Sequence, residues 1–359
     1  MRLARPAAVA AAALSMSLSA LALTAAPAGA AAPNDPLYAS QYGPQQVHAP
    51  EAWATSTGAG AVIAVVDTGV DLSHEDLAGK LVPGATFIGC NPSCGNGDWK
   101  GPDGVGQPND AHGTHVSGIA AAATNNGIGI AGVAPDAKVM PVKVLEDGSG
   151  DYADIANGIR YAADHGADVI NMSLGGTQGT QLLTLTGLET QLQDAITYAV
   201  GKGVAVIAAA GNDSIPVCNE PGFDDGVLCV TSTDKREVRS AFSSGPLKPD
   251  LNAVAAPGGS LLPVCGEDVV SSVPAGQSGS GATCGYGNNY DEYAGTSMAT
   301  PHVAGVAALL AAQGRSVANI YSTLTSTARQ PVLGVRGVFT PAYGYGIVDA
   351  AAAVAAPLG

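Results

Sequence analysis

Charge is scarce in this chain, and positive charge is scarcest. Charged residues make up 13% of its 359 positions, with 15 Lys and Arg against 30 Asp and Glu, for a formal net charge of −15. Nucleic-acid binding draws its affinity from phosphates neutralised by Lys and Arg, so no nucleic-acid partner is expected. Aromatic residues are only 5%. The 48 glycines follow no Gly-X-Y period, which excludes a collagen. No repeat of about 20–50 residues recurs, which excludes a solenoid reading. Beyond the N-terminus, no apolar stretch is long enough to span a bilayer. Disorder is excluded as well, because hydrophobic residues reach 46% and can fill a core. The length suits one large domain or two small ones. An acidic, small-residue composition fits a compact, soluble, secreted protein.

The first residues sharpen that reading. Arg2 and Arg5 precede an Ala/Leu-rich stretch from Ala7 to Leu23, then Pro27 and the small residues Ala28 to Ala32. A basic head, an apolar middle and an A-x-A end form a secretory signal. A membrane anchor is the alternative, but Ala is only weakly apolar and no basic stop-transfer cluster follows. Cleavage after Ala30 predicts a secreted chain, 31–359, with no membrane contact once the signal is gone. Behind a signal, the even count of six cysteines argues for disulfides. Their spacing groups them as Cys90–Cys94, Cys218–Cys229 and Cys265–Cys284, each pair inside one Gly/Pro/Asn-rich stretch. A zinc reading of Cys90 and Cys94 lacks a second Cys/His pair at suitable spacing.

Apolar runs then alternate with helical patterns. Ala61–Val66, Val139–Val144, Val169–Met172, Val204–Ala209, Val227–Ser232 and Leu251–Ala255 read as strands. His115–Ala123, Asp151–His165, Leu188–Lys202 and Met298–Gln313 read as helices. Continuous apolar strands between helices predict an α/β fold with a parallel sheet buried on both faces. Loops concentrate at Gly89–Ala111, Asn212–Gly226 and Gly258–Ala294. No linker divides the chain, so a single domain is expected.

Three segments carry chemistry. Asp67 follows the strand Ala61–Val66 directly and so stands at its carboxyl end, where open α/β sheets place ligands. Taken alone it reads equally as a turn cap. His112 opens a helix of small residues. With His115 it could ligate a metal, but no nearby Glu completes the usual hydrolytic zinc pattern. Ser297 opens an apolar helix, where the dipole favours a developing anion and where a lone Ser would be an N-cap. Together, the order Asp, His, Ser is one of the known orders of a catalytic triad. A serine hydroxyl needs a base, imidazole titrates near neutrality, and a carboxylate holds its tautomer. Asn212 ends another strand, where its amide could donate to an oxyanion with the Ser297 backbone N–H.

The segments VVDTGVD, HGTHVSG, AAAGND and GTSMATPHVAG resemble the four signature segments of the subtilisin-like serine proteases. The likeness runs from about Asn34 to Val354. The stretches Asn34-Asp35-Pro36, Gln41-Tyr42-Gly43-Pro44-Gln45 and Gly314-Arg315-Ser316 resemble the thermitase-like branch. The resemblance implies a three-layer fold with a mostly parallel seven-stranded sheet and helices on both faces. It implies a serine endopeptidase working through an acyl-enzyme, with Asp67, His112 and Ser297 as the triad and Asn212 as the oxyanion donor. A dedicated processing protease of narrow specificity and a non-catalytic peptide-binding protein of the same fold are the alternatives.

The same resemblance implies the binding residues. Ser149 and Gly150 match an edge segment, and Ser173, Leu174, Gly175 and Gly176 a facing one, that would pair with an extended peptide. Tyr152 matches a wall of the pocket four residues before the cut. Ala209, Ala210 and Gly211 match walls of the primary pocket, but at its floor the chain departs from the family, with Asn219 and Glu220 where a small residue is usual, and these could shrink the pocket or favour basic side chains. A structural calcium ion is implied near Asp35, Asp76, the side chain of Asn126 and the carbonyls of Ile128 and Ile130. Partners are then protein or peptide substrates, met by a monomer. Two further departures stand out. Gly89–Ala111, Thr177–Glu189 and Gly258–Ala294 are longer than is usual in the family. The family-like pattern also starts at Asn34, leaving no room for a folding pro-segment.

Overall fold

The computed structural model describes Met1 and residues 32–88, 100, 104–106, 110–176, 190–248, 250–331 and 333–358. The signal at 1–30, the Cys90–Cys94 pair and the stretch 177–189 lie outside the described residues, wholly or nearly so.

The apolar runs become one sheet. Its strands are β1 (Val62–Asp67), β2 (Ala85–Thr86), β3 (Lys138–Lys143), β4 (Val169–Met172), β5 (Ala205–Ala209), β6 (Val227–Thr233) and β7 (Asn252–Pro257). They lie in the order β2-β3-β1-β4-β5-β6-β7, and every neighbouring pair is parallel. Successive strand residues face opposite sides. Both sides are buried here: Ile63, Val65 and Ile207 belong to one core, Ala64, Val66 and Val206 to the other.

Helices cover both faces. In chain order they are α1 (Tyr42–Gln46), α2 (Ala49–Ala52), α3 (His112–Ala121), α4 (Tyr152–Asp164), α5 (Gln191–Gly201), α6 (Thr296–Ala311), α7 (Val317–Thr327) and α8 (Ala350–Ala355). The first core takes Val116 and Ile119 of α3, Val303 and Leu309 of α6 and Leu324 of α7; the second takes Ile155 and Ile159 of α4 and Ile196 of α5. The expected three-layer α/β architecture is therefore observed. No helix among the described residues is long and apolar enough to cross a membrane.

Several elements differ from expectation. α3 begins at His112, the residue read as opening the helix, three places before the apolar run from His115; Asp110 Oδ1 accepts the His112 N–H, a donor that a helix start otherwise leaves open. α7 and α8 were not anticipated, although Ser316 and Asp349 cap them through the N–H groups of Asn319 and Ala352. The stretch Gly258–Ala294, read as a loop, contains an antiparallel hairpin of β8 (Val269–Ser272) and β9 (Tyr290–Tyr293). Tertiary contact explains it: the hydroxyls of Ser271 and Ser272 donate to the carbonyls of His115 and Thr114 in α3. Cys218–Cys229 and Cys265–Cys284 are bonded as expected.

Candidate active site

Asp67 is the last residue of β1, and its side chain is fully buried. Its Oδ1 accepts the Thr68 N–H at 2.8 Å and faces Nδ1 of His112 at 2.8 Å. Gly113 makes that approach possible, since a Cβ there would stand 2.2 Å from the Gly69 carbonyl oxygen. Burial pulls the His112 pKa down, but the charge and hydrogen bond of Asp67, helped by Asp110, outweigh it, so the imidazole titrates above its ordinary value. His115 is not a second ligand beside it. Buried, stacked on Tyr293 at 4.4 Å and with Nε2 on the Asp291 carbonyl, it is pushed down to about 3, mainly by burial and then by the nearby His112.

Ser297 is the second residue of α6, one place inside the helix start rather than its N-cap. Pro301 lies four residues on and has no N–H for the Ser297 carbonyl. The Ser173 hydroxyl fills that role at 2.7 Å, while the Ser297 hydroxyl donates to the Ser173 carbonyl at 3.1 Å. The nucleophile candidate is thereby clamped to the segment that follows β4. Asn212 follows β5, and its Oδ1 accepts both the N–H and the hydroxyl of Thr296. With the oxygen engaged, this exposed residue keeps its Nδ2 donors for another acceptor.

His112 and Ser297 line one cleft of about 740 Å³. Ser149, Gly150, Tyr152, Ser173, Leu174, Gly175 and Gly176 line the same cleft. Ala209, Ala210, Gly211 and Asn219 do not reach its surface. Ala209 and Ala210 are sealed in the core, and Gly211, at φ +95°, is covered by Asn219, whose Nδ2 a Cβ would meet at 2.6 Å. Asn219 instead braces the wall, donating to the Gly176 carbonyl at 3.2 Å and to Asp213. Sequence reasoning did not single out Thr68, Asp110, Leu145, Ile155 or Leu192, which also line the cleft, as do Glu220 and Pro221. Nor did it find Thr296, although its place beside Ser297 was a signal.

The family model described as the subtilase family matches residues 58–346, most of the chain. The chain belongs to the subtilase family. This subtilase is 45% identical over 300 residues to the thermitase of Thermoactinomyces vulgaris, covering 82% of this chain and 91% of that one. It is 36% identical over 369 residues to the extracellular basic protease of Dichelobacter nodosus, covering 92% of this chain and 57% of that one. A solved protease from Pseudoalteromonas arctica superposes with a TM-score of 0.74 at 36% identity, over 90% of this chain and 99% of the other. The subtilase is thus a subtilisin-like serine endopeptidase, and its substrates are proteins.

The residues expected to hold calcium gather at one loop of the subtilase. Asp76 is buried, and its Oδ2 accepts the Ile130 N–H at 2.8 Å and the Tyr290 hydroxyl at 3.0 Å. Its Oδ1 takes Nδ2 of Asn126 at 2.8 Å, so the amide nitrogen, not the oxygen, faces it. Burial raises the Asp76 pKa, against the pull of these donors. Asp35 accepts the N–H groups of Asn125 and Asn126. The carbonyl of Ile130, a residue with no exposed surface, receives no donor among the described residues. A buried orphan carbonyl beside a buried carboxylate fits a hard cation.

Proposed function

We propose that Ser297 is the nucleophile, His112 the general base and Asp67 the residue that orients the imidazole and stabilises the imidazolium formed when it takes the proton. The observation that carries this reading is the 2.8 Å contact of Asp67 with His112 Nδ1, on an imidazole that shares its cleft with Ser297. With Nδ1 engaged by the carboxylate, Nε2 is the nitrogen able to take the Ser297 proton. The hydroxyl oxygen attacks the scissile carbonyl, and His112 then passes the proton to the leaving amine. Water repeats the sequence on the acyl-enzyme. Nδ2 of Asn212 and the Ser297 N–H donate to the oxyanion. A peptide in extended form lies between 149–150 and 173–176. Fluorophosphonate labelling tests the nucleophile: Ser297→Ala abolishes labelling and proteolysis in a chain that still folds, and labelling retained at another serine refutes the assignment.

Asp35, Asp76, Asn126 and the carbonyls of Ile128 and Ile130 would hold one calcium ion, with the Asn126 amide turned to offer its oxygen. The ion would supply positive charge to a buried carboxylate and cross-link the loop; it takes no part in catalysis. The chain carries a signal at 1–30 followed by one catalytic domain, is secreted, and acts as a monomer. Extracellular relatives support that location. Long loops also favour a narrow processing role, and cleavage of casein against a defined peptide panel separates the two.

A further inference from the structure

Leu261 to Val264 lie exposed between β7 and β8, and three of them carry large apolar side chains: Leu261 is 62%, Leu262 49% and Val264 59% exposed. Single apolar side chains in water are ordinary, but a run of them on a stiff support marks a contact surface. The support here is stiff. Asp268 Oδ1 accepts the Ser260 N–H at 2.7 Å and the Leu261 N–H at 3.0 Å, and the Ser260 hydroxyl accepts the Leu262 N–H at 3.2 Å. These bonds hold Leu261 at φ +61°, a left-handed conformation that a bulky residue avoids. At the other end the Val264 carbonyl accepts the Glu267 N–H, and both terminal nitrogens of Arg236 grip the Glu267 carboxylate at 2.8 and 3.0 Å. A strained leucine whose side chain is turned to water contributes nothing to the core, so its posture points to a partner.

The ridge starts beside the helix of the nucleophile. The Gly258 carbonyl accepts the Gly295 N–H at 2.8 Å, and a Cβ at Gly259 would stand 2.8 Å from that of Ala294. Ala294 and Gly295 lead into α6 and Ser297, and Nδ2 of Asn212 is 3.5 Å from where a Gly295 Cβ would be. The acyl half of a substrate would lie against 149–152 and 173–176, which follow β3 and β4. Asn212 follows β5, and the ridge follows β7. The leaving half is then directed past Asn212, across the ends of β5, β6 and β7. Neighbouring strands lie about 4.8 Å apart, so β4 to β7 is about 14 Å, which an extended chain covers in about four residues. We infer that Leu261, Leu262 and Val264 bind large apolar side chains two to four places after the scissile bond and so set a preference on the leaving-group side of the cut. The inference rests on the proposed groove and triad, and adds to them a specificity surface outside the cleft lining.

The test uses internally quenched peptides that share one acyl half and carry Leu, Phe, Ser or Asp in turn at each position after the cut. Leu or Phe at the second, third or fourth position should raise kcat/KM about fivefold over Ser. That ratio is about 1 kcal/mol, or about 40 Å² of apolar surface removed from water, which a side chain lying on an open ridge can supply. Leu261→Ser/Leu262→Ser/Val264→Ser should bring the ratio close to one. It should leave unchanged the hydrolysis of an anilide of the same acyl half, which has no residue after the cut. Leu261→Asn suits the left-handed backbone and should lower the ratio in part, which keeps the inference testable if the triple variant does not fold. A wild-type enzyme indifferent to apolar residues at all three positions overturns the inference, and so does a triple variant that keeps the full ratio. A triple variant that changes sedimentation but not the ratio would make the ridge a contact between copies of the chain, which overturns it too. Failure of the underlying reading looks different: neither peptide nor anilide is cleaved and Ser297 does not label with a fluorophosphonate.

Discussion

The amide oxygen of Asn212 accepts two hydrogen bonds from Thr296, from its N–H at 2.9 Å and from its hydroxyl at 3.0 Å. The Thr296 hydroxyl also accepts the Gly211 N–H at 3.1 Å, so one side chain spans the end of β5 and the start of α6. It thereby sets which end of the amide is available as a donor. Asn212→Ala should lower kcat by about 10²–10³ with little change in KM. Thr296→Val keeps the shape and removes the hydroxyl, so it should cost about tenfold in kcat through misplacement of the Asn212 donor. Steady-state kinetics on one peptide check both. An unchanged kcat in Asn212→Ala would place the oxyanion donor elsewhere.

The acid limb of the pH profile follows from His112. Activity needs the neutral imidazole, and Asp67 holds its pKa above the ordinary value of about 6.5. As pH falls through that raised value the base becomes protonated and kcat/KM drops, so the midpoint lies above about 6.5. Asp67→Asn should move the midpoint down, since the raising charge is gone, and should depress kcat as well. Rates measured from pH 5 to 9 decide this, and a flat profile contradicts a histidine base.

Removal of calcium should weaken the fold more than the chemistry. An ion bound only by the native state adds RT ln(1 + [L]/Kd), about 2.7 kcal/mol at a hundred times Kd. A chelator should therefore lower the Tm and speed autolysis. Asp76→Asn should lower the Tm in calcium and make it insensitive to chelator. A Tm unmoved by chelator, with no calcium found by elemental analysis, rules the ion out.

The two described disulfides should have separable effects. Cys218–Cys229 joins the segment before Asn219 and Glu220 to β6 and closes a separation of 11 residues. Its loss should cost up to about 3 kcal/mol and alter the cleavage profile, because the wall of the cleft is no longer braced. Cys265–Cys284 lies in the stretch that carries the β8–β9 hairpin, and its loss should mainly increase autolysis. Peptide profiling of the two double Cys→Ser variants separates these outcomes. Identical profiles would show that the bridge does not shape the cleft.

Residues adjacent in the chain determined most of the fold and the identity of the site. Apolar runs such as Val204–Ala209, set between helical patterns, read as strands buried on both faces, and Asp67, His112 and Ser297 announce themselves by what flanks them. These are local properties: strand and helix periodicity, and a reactive side chain at the end of an element. Contacts between distant residues were decided by tertiary structure alone. Asn212 and Thr296 are 84 positions apart, and Tyr152 and Glu220 are 68. Ala209 and Ala210 match pocket walls by the family resemblance, yet both are buried, Ala209 paired with Val230 of the neighbouring β6. The hairpin β8–β9 forms because α3 offers carbonyls to Ser271 and Ser272, a partner that a Gly/Ser-rich stretch cannot reveal. Short-range preference specifies an element, but which side chains meet across elements depends on packing that no local window contains.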